Sequence, residues 1–399
     1  MAPSRGSPSA LPHCVRTSGD LTLPSGSNYR ECVDFTFSSE QEALRDAVRS
    51  FLGAEAPKEY VRRMAEHDEA GVTPELWRRI VDLGWTGLLV PEQQGGLGLG
   101  LVDAVVVQEE MGRAVFPGPF FSSAIVATLA ARALGLDNLL VGLASGTQRG
   151  TVALDEAGHG DPIERVRVRA TGRGSRHKLD GVKPLVMDGH TADWVLVPAR
   201  TREGLQTFLV DNAGDLAQLA PSLDITRKFA RLEFAQTRAL LVGPPGDHAH
   251  LWRRIADDAA VLLAAELIGV SEAANALALD YAQAREVFGK PLSKFQVTRH
   301  KAVDMLREIE IARVAVHYAA WASAVDAPDR EIAAAMAKAQ AASAANYVTA
   351  ECIQIHGGVG YTWENDAHLF LRRAKVDDLL MGAQGWQRER VADEYFATL

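Results

Sequence analysis

From about Asp247 to the end of the chain, apolar residues repeat with a helical period in long Ala-rich segments, of which Asp257 to Ala284 is one. An amphipathic segment of that length must bury its apolar stripe against another element. Several such segments joined by short links pack on one another, so 244–399 reads as a four-helix bundle. Ser293-Lys294-Phe295-Gln296 has capping-box spacing and opens the second helix. Asp326-Ala327-Pro328 starts a third, which stops where Gly357-Gly358 permits a left-handed C-cap, and a fourth follows Tyr361.

A second helical stretch precedes it, over 35–150. Ser39-Glu40-Gln41-Glu42 is a capping box, and Leu44, Val48, Phe51 and Leu52 form the apolar stripe behind it. Thr73 and Pro74 supply an N-cap and an N1 proline, and Gly84 closes that helix. Over 151–243 the helical period fades. Short β-rich runs appear at Arg165–Ala170, Trp194–Ala199, Thr207–Val210 and Arg231–Phe234, with Asp180-Gly181 as a hairpin turn. The predicted fold is α+β multidomain: an N-terminal all-α domain, a middle antiparallel β-barrel or sandwich, and a C-terminal four-helix bundle. Residues 1–34 are rich in Ser, Pro and Gly and read as a disordered tail; they contain no apolar h-region of a secretory signal.

Charge narrows the function. In 399 residues, 42 Lys and Arg stand against 51 Asp and Glu, a net charge of -9. A nucleic-acid binder needs a basic surface, so none is expected. The purest apolar stretch, Ala259 to Ala265, stops at Glu266, short of the ~18 residues of a membrane span. Cys14, Cys32 and Cys352 are too few and too scattered for a disulfide framework or a metal site, and fit a reducing cytoplasm. Cys352 is expected in the core.

No dinucleotide fingerprint, phosphate-binding loop, nucleophile elbow or zinc-protease motif is present. Two other stretches stand out. In the first, Arg285 lies near a helix end before Gly289-Lys290-Pro291, where it can hold a phosphate bidentately. Phe288 can pack on a planar ring, and Gln296 offers a two-way amide. The plainer alternative is an Arg paired with Glu286, a core Phe and a capping Gln. The second stretch is Gln354-Ile355-His356-Gly357-Gly358-Val359-Gly360-Tyr361-Thr362, whose glycines admit a close ligand approach or simply cap a helix. His356 alone reads as a structural histidine.

Together, R-x-x-F-G-K-P-x-x-x-F-Q and Q-x-H-G-G-x-G-Y-T resemble the acyl-CoA dehydrogenase family, as do Val90–Gly98 and Glu109–Arg113. The resemblance implies FAD lying between subunits. Arg285, Phe288 and Gln296 would reach the pyrophosphate and adenine end of a neighbour's FAD, with Gln354, Gly357 and Gly358 in the same wall. It implies an acyl-CoA substrate, a Glu that takes the α-proton while hydride passes from Cβ to flavin, and electron-transferring flavoprotein as acceptor.

The chain departs from that pattern at both positions where members carry the Glu, which here are Met381 and Ala259. No catalytic residue is therefore assigned; Asp258 and Glu266 lie near Ala259 but in the wrong direction or too far along the axis. The flavin loop is matched only by Leu154–Asp161, and the strand facing the ring reads Gly181-Val182-Lys183-Pro184-Leu185-Val186-Met187. The ring half-site thus looks eroded while the donated half looks intact. This asymmetry resembles the base-lacking subunits of actinobacterial α2β2 steroid-type acyl-CoA dehydrogenases, as do Tyr361–Glu364 and Leu371–Lys375. The expectation is a flavoprotein subunit whose paralogous partner supplies the Glu. The alternatives are a homo-oligomer doing base-free acyl-CoA chemistry, or a structural pseudoenzyme without flavin.

Overall fold

Ser38 accepts from the Gln41 amide (3.2 Å) and Gln41 Oε1 accepts from the Ser38 amide (3.0 Å), which starts helix α1 (Ser39–Glu55). The capping box thus sits one residue earlier than the expected Ser39–Glu42 pair. The Gln41 side-chain Nε2 donates to Asp103 Oδ1 (2.9 Å), so the earlier start ties α1 to a neighbouring helix. In this computed structural model residues 37–156, 158 and 160–397 are described; the expected tail over 1–34, with Cys14 and Cys32, lies outside them. Helices α2 (Lys58–His67), α3 (Pro74–Asp82) and α4 (Leu101–Ala114) follow. Thr73 caps α3 as expected, and Gly84 turns the chain at φ 76°. A buried π-helical turn, Phe120–Ala127, runs into α5 (Thr128–Ala133), and α6 (Asp137–Ala144) ends the region.

The middle strands are β1 (Gly150–Val152), β2 (Arg169–Arg173), β3 (Arg176–Met187), β4 (Trp194–Thr201), β5 (Gly204–Asp211), β6 (Ala217–Ala220) and β7 (Phe229–Val242). The order β4-β2-β3-β7-β5 closes on itself because β5 pairs back with β4. The barrel is mixed rather than wholly antiparallel, since β1 and β2 both meet β4 in parallel. Asp180 and Gly181 are not a turn. They lie inside β3 at a register shift against β7, where Gly181 takes φ 135° and Asp180 accepts from the Gln236 amide (3.0 Å). The turn falls instead at Gly174, φ 62°. Strand β4 is buried on both faces: Val195, Val197 and Ala199 fill the barrel, while Trp194 and Leu196 join the helical core.

The C-terminal region holds α7 (Ala249–Ala284), two short strands β8 (Glu286–Val287) and β9 (Lys290–Pro291), then α8 (Gln296–Ala324), α9 (Arg330–His356), α10 (Ala367–Leu379) and α11 (Gln384–Ala397). Ser293 caps nothing. It lies in the short turn Leu292–Lys294, closed by Phe295 N to Leu292 O (3.1 Å), and α8 begins behind Phe295 without a side-chain cap. The third helix begins at Arg330, and a fifth, α11, packs on α9 beside the four that were expected. By length and composition α7 is apolar enough to cross a membrane, contrary to the reading that Glu266 interrupts it; 78% of its most apolar window is buried inside the protein, which makes it a core helix. It crosses α4 backbone to backbone. A Cβ on Gly112 would overlap the Glu266 carbonyl, and one on Gly269 the Glu109 carbonyl.

Candidate functional site

At one end of the bundle, α7 stops at Ala284 and Arg285 turns extended. Its carbonyl accepts from the Leu292 amide (2.7 Å), which closes the β8–β9 hairpin. Phe288 (φ 51°) and Gly289 (φ 74°) form the two-residue turn. Phe288 is 92% exposed. A bare aromatic in left-handed backbone is unfavourable on both counts, which is the mark of a residue kept for contact. Arg285 and Gln296 are also exposed. Arg285 makes no ion pair among the described residues, so its expected alternative partner Glu286 does not hold it. The second stretch is brought alongside by Tyr281, whose ring stacks on that of His356, and by an ion pair between Lys301 and Glu351. Gln354 is exposed, Gly357 sits at φ 61°, and a Cβ at Gly357 or Gly358 would meet nothing within 4 Å. The structure thus places all six sequence-predicted binding residues at the same end of the bundle. His356 itself is buried, and its Nδ1 donates to the Cys352 carbonyl (2.8 Å). Burial pushes the Cys352 thiol up to about 12, which leaves it unreactive.

Ala259 is fully buried in the core, and Met381 is buried at φ 55° between α10 and α11. Beside Met381, a cleft of about 500 Å³ is lined by Asp155, Arg165, Leu185, Leu380, Ala383 and Trp386, among others. Its loop side is tied to itself. Glu156 accepts from the Arg167 amide (2.9 Å) and the Val168 amide (3.2 Å), and lies 2.8 Å from Lys183 Nζ. Lys183, fully buried, also donates to the Leu154 carbonyl (3.0 Å). Arg165 donates to the carbonyls of Glu156 (2.9 Å) and Gly158. Burial pushes the Asp155 carboxyl up and the Lys183 ammonium down, the latter against the pull of Glu156.

Between the barrel, α7 and α10 lies a buried charge cluster that sequence reasoning missed. Arg373 pairs with Asp224 (2.6 Å) and with Glu266, and donates to Thr226 Oγ1 (2.6 Å) and the Phe116 carbonyl (3.2 Å). Arg227 lies 2.7 Å from Glu266 and 3.0 Å from Asp377. Glu266 is therefore held as a counterion between two arginines. Burial pushes Asp377 up to about 7, against the pull of Arg227. The available signal was Arg373 and Asp377, four apart on one face of an otherwise amphipathic helix.

Comparison with known proteins agrees with this layout. The acyl-CoA dehydrogenase N-terminal domain matches residues 38–136, and the C-terminal domain of the same family matches 256–396. The chain belongs to the acyl-CoA dehydrogenase family. Homologues in it are oxidoreductases acting on CH–CH donors, and it is a family of FAD-binding flavoproteins. Acyl-CoA dehydrogenase IpdE2 of Mycolicibacterium smegmatis is 32% identical over 361 residues, covering 90% of this chain and 100% of its own. A variant of the Tcur3481-Tcur3483 steroid ACAD superposes with TM-score 0.81 at 30% identity, covering 89% of this chain and 97% of that one. The ChsE4-ChsE5 complex of Mycobacterium tuberculosis gives TM-score 0.81 at 27% identity, covering 91% and 99%.

The residues present fit FAD unevenly. At the bundle end, an unpaired Arg285, a bare Phe288 and open space over Gly357 and Gly358 suit a planar anionic ligand arriving from outside the chain. At the cleft, the Glu156 carboxylate and the Arg165 guanidinium are already engaged by the chain itself.

Proposed function

We propose that this chain is the base-lacking subunit of a heteromeric acyl-CoA dehydrogenase for a bulky, steroid-type acyl-CoA, with a paralogous partner supplying the Glu. The observation that carries the reading is a contrast: Met381 beside a self-tied loop and Ala259 buried in the core at the base positions, against an exposed, unpaired Arg285 wall. When bound, FAD supplies hydride acceptance from the Cβ of the acyl group. Arg285 would hold its pyrophosphate as a bidentate, charge-assisted pair. Phe288 would cover an aromatic face, Gln296 and Gln354 would offer amides, and Gly357 and Gly358 would admit close backbone approach. The named relatives, a steroid ACAD and a two-component complex, support both the substrate class and the partner. Electron-transferring flavoprotein is the acceptor the family implies.

Co-expression with a paralogue that carries the Glu tests this. The expected product is a yellow, active heteromer with one flavin per pair of chains, while this chain alone is colourless and inactive. A lone chain that is yellow and oxidises acyl-CoAs at ordinary enzyme rates would overturn it.

A further inference from the structure

The outer face of the barrel, away from the flavin wall and the cleft, carries an arrangement that a chain of net charge -9 has no structural reason to keep. In register, Arg173 on β2 opposes Arg176 on β3, and Lys178 on β3 opposes Arg238 on β7. Directly opposed side chains share a face, and like charges there destabilise a sheet. All four cations are exposed, and none makes an ion pair among the described residues. Elsewhere on this sheet, Arg231 pairs with Glu233 (2.7 Å).

These side chains do not stand on a flat surface. A groove of about 600 Å³ runs along the same face, lined by Thr171, Arg176, Lys178, Arg238 and Asp211, with Leu209 and Leu240 as an apolar wall; Arg173 stands outside this lining, opposite Arg176. That volume is the size of a small-molecule site. The two cation pairs lie two residues apart along β3, about 7 Å at ~3.4 Å per residue. Each pair can close on one dianionic group, and an arginine in each supplies a planar fork matched to phosphate oxygens.

We propose that this groove binds a small soluble ligand carrying two or more phosphate groups, one held in the groove between Lys178 and Arg238 and another at its edge, where Arg176 of the groove faces Arg173 across the strand pair. The site is independent of the flavin reading, because it uses no residue of the bundle wall or of the cleft. Bound phosphates neutralise the opposed charges, so binding offsets a repulsion built into the empty sheet.

The test is calorimetric titration of the full chain with sodium tripolyphosphate at low and at moderate salt. Saturable binding of one anion per chain is expected, weakening as salt rises. Lys178→Glu/Arg238→Glu should weaken it at least tenfold. The charge-matched control Arg78→Glu/Arg388→Glu, on α3 and α11, should weaken it less than twofold. The neutral pair Lys178→Gln/Arg238→Gln serves if the reversed pair fails to fold, and should also weaken binding at least tenfold. Absence of saturable binding, or equal losses in the test and control variants, overturns the proposal. So does preferential binding of poly-glutamate or of phosphatidylglycerol vesicles, which would make the face a dock for an acidic protein or a membrane.

Discussion

The ring of Tyr281 on α7 stacks on that of His356 on α9, with centroids 4.4 Å apart and planes within 25°. This contact joins two turns that are far apart in the chain, so the Arg285 hairpin and the Gly357 turn hold one position relative to each other. His356→Ala removes the stack and a buried hydrogen bond together. It should cost about 1–3 kcal/mol, read as a lower thermal midpoint of the lone chain. An unchanged midpoint would mean the two turns are fixed by other contacts.

Arg285 is exposed and unpaired, so its removal disturbs nothing within the chain. Arg285→Ala in the co-expressed complex should keep the assembly and the thermal midpoint of this chain, and should lower the 450 nm flavin absorbance per heteromer. Arg285→Lys should recover little of it, because an ammonium cannot form the bidentate pair. Full flavin occupancy in Arg285→Ala would place the pyrophosphate elsewhere.

On the proposed reading, a carboxylate placed at position 381 should not by itself give activity. Loss of a positioned general base costs ~10²–10⁴ in rate. In this chain, however, position 381 is buried in left-handed backbone beside a loop whose Glu156 is committed to Lys183. Met381→Glu alone should therefore leave acyl-CoA oxidation by the lone chain at background in a dye-coupled assay. A rise toward ordinary enzyme rates would show that the ring pocket works after all.

Asp377 gives a pH signature. Its carboxyl is pushed up to about 7 by burial, from an ordinary value near 4. Between these values the unfolded chain has lost the proton and the folded chain has kept it, so this group's contribution to stability falls as pH rises from about 4 through 7. Asp377→Asn carries no such dependence. The midpoint of the variant relative to the parent should therefore rise from pH 5 to pH 8 in thermal melts. A constant difference would mean that Arg227 holds Asp377 ionised throughout.

The crossing of α4 and α7 tolerates no side chain. Gly269→Ala would put a methyl group into the Glu109 carbonyl and force the helices apart, at a cost of about 1–3 kcal/mol or more. Denaturant melts should show it as a lower midpoint with an unchanged slope. By contrast, Gly53→Ala on α1, where a Cβ meets nothing within 4 Å, should be neutral or mildly stabilising.

The sequence patterns were clearest where one physical cause dominated. Helical periodicity located α7 and α9, and β4 stood out as a continuous apolar run because both of its faces are buried. Caps were less legible. Ser38 and Ser39 offer the same chemistry; the cap is Ser38, whose partner Gln41 also bonds Asp103, a tertiary contact. Asp180-Gly181 has a turn's composition, yet the barrel uses the glycine's positive φ for a strand irregularity. The Arg285 wall came from motif resemblance, not from periodicity, because exposed residues leave no trace in an apolar pattern. The Arg227, Glu266 and Asp377 cluster stayed hidden for the opposite reason. Glu266 is read only as the end of an apolar stretch, and its partners lie on a loop and on α10, so nothing in the chain order joins the ions.

Strand β4 is one wall shared by two cores. Any fragment that ends at the β-to-α junction would bare Trp194 and Leu196 to water on one side while Val195 and Val197 stay covered on the other. The barrel is therefore not a transplantable module. Recombination that swaps it between relatives succeeds only if the surface receiving β4 travels with it, so barrel and helices are bound to change together over evolutionary time.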